Sequence, residues 1–370
     1  MTSLHKSISE HSVDLSTYME TDTLRIGLIG DIQYCDREDG QNYSKTCIRR
    51  YRQSLETLQK ASRVFIERGT IFNIILGDVV DGKAKKDGNQ VDALSRFALC
   101  IPLPSVSFFN STHSNVSQDA CLEAVKTATL GLSYHYLVGN HDLYCFSRTE
   151  IHQRYPNMRT RAYYSTSLVR QKFRLIFLDT YDISCICPTN ENNEQRALKY
   201  LFDNNSNIKC KEDLKGGDWL NGIPEDMSRF VPFNGGISKE QLEWLNDELN
   251  SALECSELVI LISHVPLAHQ AGASCNTVFN LDEVSEIIHR EDTPVVAVIS
   301  GHDHSGDYFY DKSTDIHHII PCSPLECAKE EVAFTLMELG PGYIELKSEG
   351  KLPERKWPDR LIFSRGVVGI

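Results

Sequence analysis

The stretch Ile74-Ile75-Leu76-Gly77-Asp78-Val79-Val80-Asp81-Gly82 constrains this chain more than any other. An apolar run halts at a glycine and an acid and then turns, as a buried strand does when its carboxyl end opens onto a site. An uncompensated carboxylate at the tip of a buried strand is costly, so such an aspartate is paired, hydrogen-bonded or bound to a metal. Four other apolar runs end the same way, at Asp31-Ile32-Gln33, Asn140-His141-Asp142, Ser263-His264 and His302-Asp303-His304. In an open α/β sheet ligands collect beyond the carboxyl ends of the strands, so residues spread over most of the sequence can converge there.

Between these ends the chain alternates strand and helix patterns. Thr23 to Gly30 reads as a strand, Lys45 to Arg68 as a helix with Leu55, Leu58, Ala61, Val64 and Phe65 at helical spacing, and the run before Asp78 as the next strand. That order is the unit of a parallel sheet. Tyr134 to Val138 is a further strand, Arg161 to Leu168 and Phe173 to Leu178 an antiparallel pair, and Ser238 to Leu253 a helix with Ser238 as its cap. Strands over Leu258 to Ile262 and Val295 to Ser300 flank a helix near Leu281 to His289, and His317 to Ile320, Glu331 to Leu339 and Tyr343 to Leu346 close the chain as short strands. Residues 1–22 read as a disordered lead-in, and residues 23–370 as a single domain with insertions at 83–130 and 183–237, the second carrying a helix near Glu194 to Phe202.

Composition removes several function classes. A net charge of −13 with no Lys/Arg stripe argues against nucleic-acid binding. No apolar run approaches the roughly 20 residues that cross a bilayer, and Met1 to Thr23 lacks the apolar core of a signal peptide. The 12 cysteines form no C-x-x-C pair and read as reduced thiols in a cytoplasmic protein, expected to be a monomer.

The strand-end residues form a chemically coherent set. Carboxylate, carboxamide and imidazole without thiolate suit Mn, Fe or Zn, and two cations sharing one bridging carboxylate, about 4 Å apart, activate a water and clamp a phosphoryl group. The order D-x-Q, G-D-x-x-D, G-N-H-D, H, G-H-x-H, running from Asp31 to His304, resembles the calcineurin-like metallophosphoesterase superfamily. The resemblance implies a four-layer αββα sandwich, two mixed β-sheets flanked by helices, with a dinuclear site at one edge. It implies Asp31, Gln33, Asp78 and His304 on one metal, and Asp78, Asn140, His264 and His302 on the other. His141 would face the leaving-group oxygen with Asp81 orienting its ring, and Asn140 would also help neutralise the phosphate.

Gln33 replaces the commoner histidine of the first motif, a weaker and harder ligand that tilts the preference toward Mn2+ or Mg2+, with Zn2+ or Fe as other candidates. The D-I-Q-Y form, the segments Gly139 to Arg148 and Phe173 to Asp182, and Phe233-Asn234-Gly235-Gly236 resemble the manganese-dependent ADP-ribose/CDP-alcohol diphosphatase branch. This branch implies a small nucleoside-diphosphate-linked substrate, hydrolysed to a nucleoside monophosphate and a phosphorylated alcohol or sugar. Tyr34, Tyr144, Phe146, Phe233, Asn234 and Cys275 are the candidate substrate contacts. A cyclic-nucleotide phosphodiesterase is the alternative on the same site. An inactive scaffold would lack a ligand or His141, and this chain has both.

Overall fold

The computed structural model describes residues 23–42, 44–99, 133–155 and 162–363. The lead-in 1–22 and most of the expected 83–130 insertion, from residue 100 onward, lie outside the described residues. Chain order gives β1 (Leu24–Ile29), β2 (Gly40–Gln41), β3 (Ile48–Arg49), β4 (Phe72–Ile75), β5 (Ser133–Tyr136), β6 (Tyr164–Leu168) and β7 (Phe173–Phe177). There follow β8 (Leu258–Ser263), β9 (Val295–Ser300), β10 (Asp307–Asp311), β11 (Ile316–Ile320), β12 (Ala333–Gly340), β13 (Tyr343–Gly350) and β14 (Arg360–Ile362).

They build two mixed six-stranded sheets, one ordered β14-β13-β12-β1-β4-β5 and the other β10-β11-β9-β8-β7-β6. Within the first, β1, β4 and β5 run parallel; within the second, β7, β8, β9 and β11 do. The central strands are apolar on both faces because both are covered. Leu24, Ile26, Leu28 and Ile74 meet Phe173, Leu175, Phe177, Ile260, Ile262 and Ile299 in one core between the sheets. Ile29, Ile75, Ile176, Leu261 and Val298 point the other way, into the core beneath the helices. The layers are therefore helix, sheet, sheet, helix.

The helix Tyr51–Glu67 lays Leu58, Ala61 and Phe65 on the first sheet. It begins six residues later than its apolar spacing predicts, because Asn42 Oδ1 accepts from the Thr46 and Cys47 amides and closes the β2–β3 hairpin instead. On the second sheet lies the helix Lys239–Glu254, its first turn capped by Ser238, which accepts from the Gln241 amide, and its buried face made of Leu242, Leu245 and Leu249. Among the described residues no helix is long and apolar enough to cross a membrane.

The excursion from 183 to 237 is more ordered than its polarity suggests. Asn190 caps the helix Glu191–Asn204, and Ile183, Ala197, Leu201, Ile208 and Phe230 bury themselves against Phe279 as a small core of their own. Its apolar residues are too widely spaced to show a period, so a sequence pattern does not reveal that core.

Candidate dinuclear metal centre

The carboxyl ends of β1, β4, β5, β8 and β9 meet at one rim, and the backbone there is unusual. Asp31 (φ 51°), Gln33 (φ 43°), Asp78 (φ 55°) and His302 (φ 68°) all lie in the left-handed region, which costs a non-glycine residue on the order of 1–3 kcal/mol. Four strained positions among the expected ligands mean that the surrounding fold pays to aim these side chains inward. Glycines clear the space. A Cβ on Gly77 (φ +97°) would stand 2.4 Å from the His264 ring, and one on Gly139 would stand 2.0 Å from Asp78 Oδ1.

A buried carboxylate holds the Asp78 turn in place. Asp142 accepts from the amides of Asp78 (2.9 Å), Val79 (3.0 Å) and Gly139 (3.0 Å), and from the Tyr155 hydroxyl (3.2 Å). Burial and the Asp78 charge push its carboxyl up to about 7.

Ligand atoms of Asp31, Asp78 and His264 all lie within 4.8 Å of one another, and all three residues are buried. His304 Nε2 is 3.7 Å from Asp31 Oδ1, and His264 Nε2 is 3.6 Å from Asp78 Oδ1. Gln33 reaches the same cluster, its Nε2 donating to Asp78 Oδ2 and facing His304 Nε2, both at 2.9 Å.

Each ring has one nitrogen committed outside the cluster. His264 Nδ1 donates to the Leu76 carbonyl (2.6 Å), His304 Nδ1 to Glu326 (2.9 Å), and His302 Nε2 faces Asn234 Oδ1 (2.8 Å). The opposite nitrogen is thereby left with its lone pair, the tautomer a metal ligand needs. Burial, with His264 and His304 nearby, keeps His302 well below the usual imidazole range, and burial also lowers His264.

The donor set fits divalent cations. Gln33 Oε1 and His264 Nε2 are buried without a hydrogen-bond partner, which is costly unless something else satisfies them. Burial and the neighbouring Asp78 push the Asp31 carboxyl well above the usual range, the mark of two apposed acids lacking positive charge between them.

His141 stands beside this cluster, its amide donating to Asp78 Oδ1 at 2.8 Å. Its Nδ1 lies 3.1 Å from Asp81 Oδ2 and also 3.1 Å from the Gly82 amide, and one tautomer cannot serve both. A lone pair facing a buried carboxylate would be repelled, so Nδ1 carries the proton and Nε2 is left for the site. Burial lowers the ring's proton affinity, but Asp78 and Asp81 outweigh it and hold His141 above the usual value. Burial likewise raises Asp81, yet His141 brings that carboxyl down to about 2.

Of the candidate substrate contacts, Tyr144 and Phe233 lie at the rim, with ring centroids 5.3 Å from His141 and 5.8 Å from His302. Tyr34 and Phe146 do not reach it. Both are packed in the core beneath the helices, and the Tyr34 backbone pairs with Val80. Asn234 is fully buried, and Cys275 meets it through the main chain, with the Cys275 carbonyl accepting from Asn234 Nδ2 at 2.6 Å.

Sequence reasoning missed Asp142, Tyr181 and Glu326. The Tyr181 hydroxyl lies 3.1 Å from Asn140 Oδ1, and Glu326 also accepts from Arg49 Nε at 3.0 Å. Asp142 and Tyr181 lie within six residues of the ends of β5 and β7, in the polar runs that follow those strands. Glu326 sits in a short turn after β11 with nothing in its spacing to mark it.

Residues 24–306 match the family model described as calcineurin-like phosphoesterase. The manganese-dependent ADP-ribose/CDP-alcohol diphosphatase of Arabidopsis thaliana is 32% identical over 324 residues, covering 86% of this chain and 90% of the plant protein. The protein of the same name from Xenopus laevis is 30% identical over 364 residues, covering 92% of each chain. The crystal structure of a dimetal phosphatase from Danio rerio superposes with a TM-score of 0.76 at 26% identity, covering 92% of this chain and 99% of that one.

Proposed function

This chain belongs to the calcineurin-like phosphoesterase family, and from that premise we propose that it hydrolyses the phosphoanhydride bond of ADP-ribose and CDP-alcohols, using two divalent cations, Mn2+ first among them. One observation carries the reading: buried ligand atoms of Asp31, Asp78 and His264 within 4.8 Å of one another. Similarity along nearly the whole of relatives named for this reaction supports the substrate class. The products would be a nucleoside monophosphate and a phosphorylated sugar or alcohol.

Asp31, Gln33, Asp78 and His304 would hold one cation, and Asp78, Asn140, His264 and His302 the other. When bound, the cations supply Lewis-acid neutralisation of phosphoryl charge and lower the pKa of the attacking water. The chain's own groups do the rest. The Asp81–His141 contact of 3.1 Å fixes the ring with Nε2 toward the site, where a protonated His141 gives its proton to the departing phosphate oxygen. Its raised proton affinity suits an acid, and Asp81 steadies the charge before transfer. Asn140, with Tyr181 beside its Oδ1, orients a phosphate oxygen. Phe233 and Tyr144 are the rim surfaces available to a nucleobase.

We place it in the cytoplasm, in keeping with the acidic chain and the free thiols of the described cysteines, and as a monomer. The test is product analysis with metal-stripped protein reloaded with Mn2+, offered ADP-ribose, CDP-choline, a cyclic nucleotide and p-nitrophenyl phosphate. AMP and CMP released from the first pair support the reading. Turnover of the cyclic nucleotide alone replaces it.

A further inference from the structure

Asn234 has no exposed surface, and both ends of its carboxamide are engaged. Its Nδ2 donates to the Arg229 carbonyl at 2.8 Å and to the Cys275 carbonyl at 2.6 Å, while Oδ1 faces His302 Nε2 at 2.8 Å. Backbone carbonyls can only accept, so the amide nitrogen has to face them and the oxygen has to face the ring. His302 Nε2 therefore carries the ring proton, and Nδ1 keeps the lone pair. Two main-chain carbonyls, one before and one well after Asn234 in sequence, thus decide which nitrogen of His302 can bind.

The Cys275 carbonyl belongs to a tightly tied segment. The Gly272 amide donates to Asp307 Oδ2 at 2.7 Å, the Ala273 amide to Asp303 Oδ2 at 2.7 Å, and Asn276 Nδ2 to the same Asp303 oxygen at 3.2 Å. Asp303 is the residue between His302 and His304, so the segment is fastened to the histidine turn twice, through Asp303 and through Asn234. Few side chains could serve at 234. Aspartate offers the acceptor without the donors, an aliphatic residue offers neither, and glutamine is a methylene longer in a site with no room.

We propose that Asn234 is a positioning residue: a single carboxamide fixes His302 with Nδ1 toward the centre and holds residues 272–276 as a wall of the substrate site. Cation binding by His302 and the shape of that wall are then set together. The proposal rests on the reading of His302 as a ligand.

Three variants separate its parts. Asn234→Asp keeps an acceptor for His302 but sets a carboxylate against two carbonyls, so Mn2+ affinity stays within about threefold while KM for ADP-ribose rises about tenfold, the scale of the one lost hydrogen bond that held the 272–276 segment. Asn234→Ala removes the acceptor as well, so Mn2+ binding also weakens by about 10–100-fold. In nitrogen-15 spectra of histidine-labelled, metal-stripped Asn234→Ala, the His302 signal departs from a single Nε2–H tautomer. Asp303→Ala frees Ala273 and Asn276 without touching the His302 ring, so it raises KM and speeds hydrogen exchange at the Ala273 amide while Mn2+ affinity holds. Unchanged Mn2+ affinity and an unchanged His302 tautomer in Asn234→Ala overturn the proposal, as does an unchanged KM in Asn234→Asp. The Mn2+ isotherms, tautomer spectra and exchange rates need no turnover, so they stand even if ADP-ribose proves not to be a substrate.

Discussion

The two sheets bring different chemistry to the rim. The ends of β1, β4 and β5 deliver Asp31, Gln33, Asp78, Asp81 and Asn140, acids and amides, and one imidazole, His141. The ends of β8 and β9 deliver only imidazoles, His264, His302 and His304. The strain is divided unequally too: Asp31, Gln33 and Asp78 take left-handed backbone on the first side, and His302 alone on the second. The acid side cannot be content by itself, since burial and the neighbouring Asp78 raise the Asp31 carboxyl, while burial lowers His264 and His302 on the imidazole side. Negative charge comes from one sheet and neutral lone pairs from the other, so the site exists only where the sheets face each other.

His141 is the exception on the acid side. If it is the proton donor and no ligand, His141→Ala lowers kcat by about 10²-fold or more with Mn2+ content unchanged. Equal losses of metal and turnover would instead place it with the other imidazoles.

The sides also respond to pH in opposite senses in the metal-free protein. Asp31 and Asp142 are raised, so their contribution to stability is complete below the ordinary carboxyl value of 3.8 and is lost as pH rises through their folded values, about 7 for Asp142. His264 and His302 are lowered, so their contribution is present above 6.5 and is lost as pH falls. Bound Mn2+ holds the acids ionised and removes the loss on the alkaline side. Thermal unfolding across pH, with and without Mn2+, should give curves that diverge as pH rises; parallel curves would show that the cation does not meet these acids.

Gln33 tests the boundary between the halves. Gln33→His places an imidazole on the acid side and should tighten binding of the first cation about tenfold, relaxing the preference for Mn2+ over Zn2+. Metal titrations that match wild type would show that the carboxamide is not a ligand.

The smallest effect separates rim from core. Phe233→Ala should raise KM for nucleotide substrates several-fold with kcat little changed, the pattern of lost uniform binding. Phe146→Leu should leave KM alone and cost about 1 kcal/mol of stability, read by denaturant unfolding.

The strand ends were legible because buried strands announce themselves by apolar runs, and a polar residue at the tip of such a run has few reasons to be there. That logic reached every expected ligand, along with His141 and Asp81. It failed where a residue's role depends on what folds over it. Tyr34 follows Gln33 in the same loop, yet its ring turns into the core as its backbone pairs with Val80. Glu326, which holds His304, comes from a turn after β11 and shares no local pattern with the site. Asn234 was legible as part of a motif, but its reach to His302 and Cys275 across the excursion was not. The small core around Ile183 and Phe230 was hidden for the same reason, its members being spaced too widely for a period.

The stoichiometry of Mn2+ binding to the metal-stripped protein, by equilibrium titration with elemental analysis, decides whether the centre is dinuclear. Two cations per chain are expected for wild type, and no more than one for Asp78→Asn, which removes the shared carboxylate charge. One cation or none in wild type, or two retained in Asp78→Asn, would contradict a dinuclear centre built by the two sheets around Asp78.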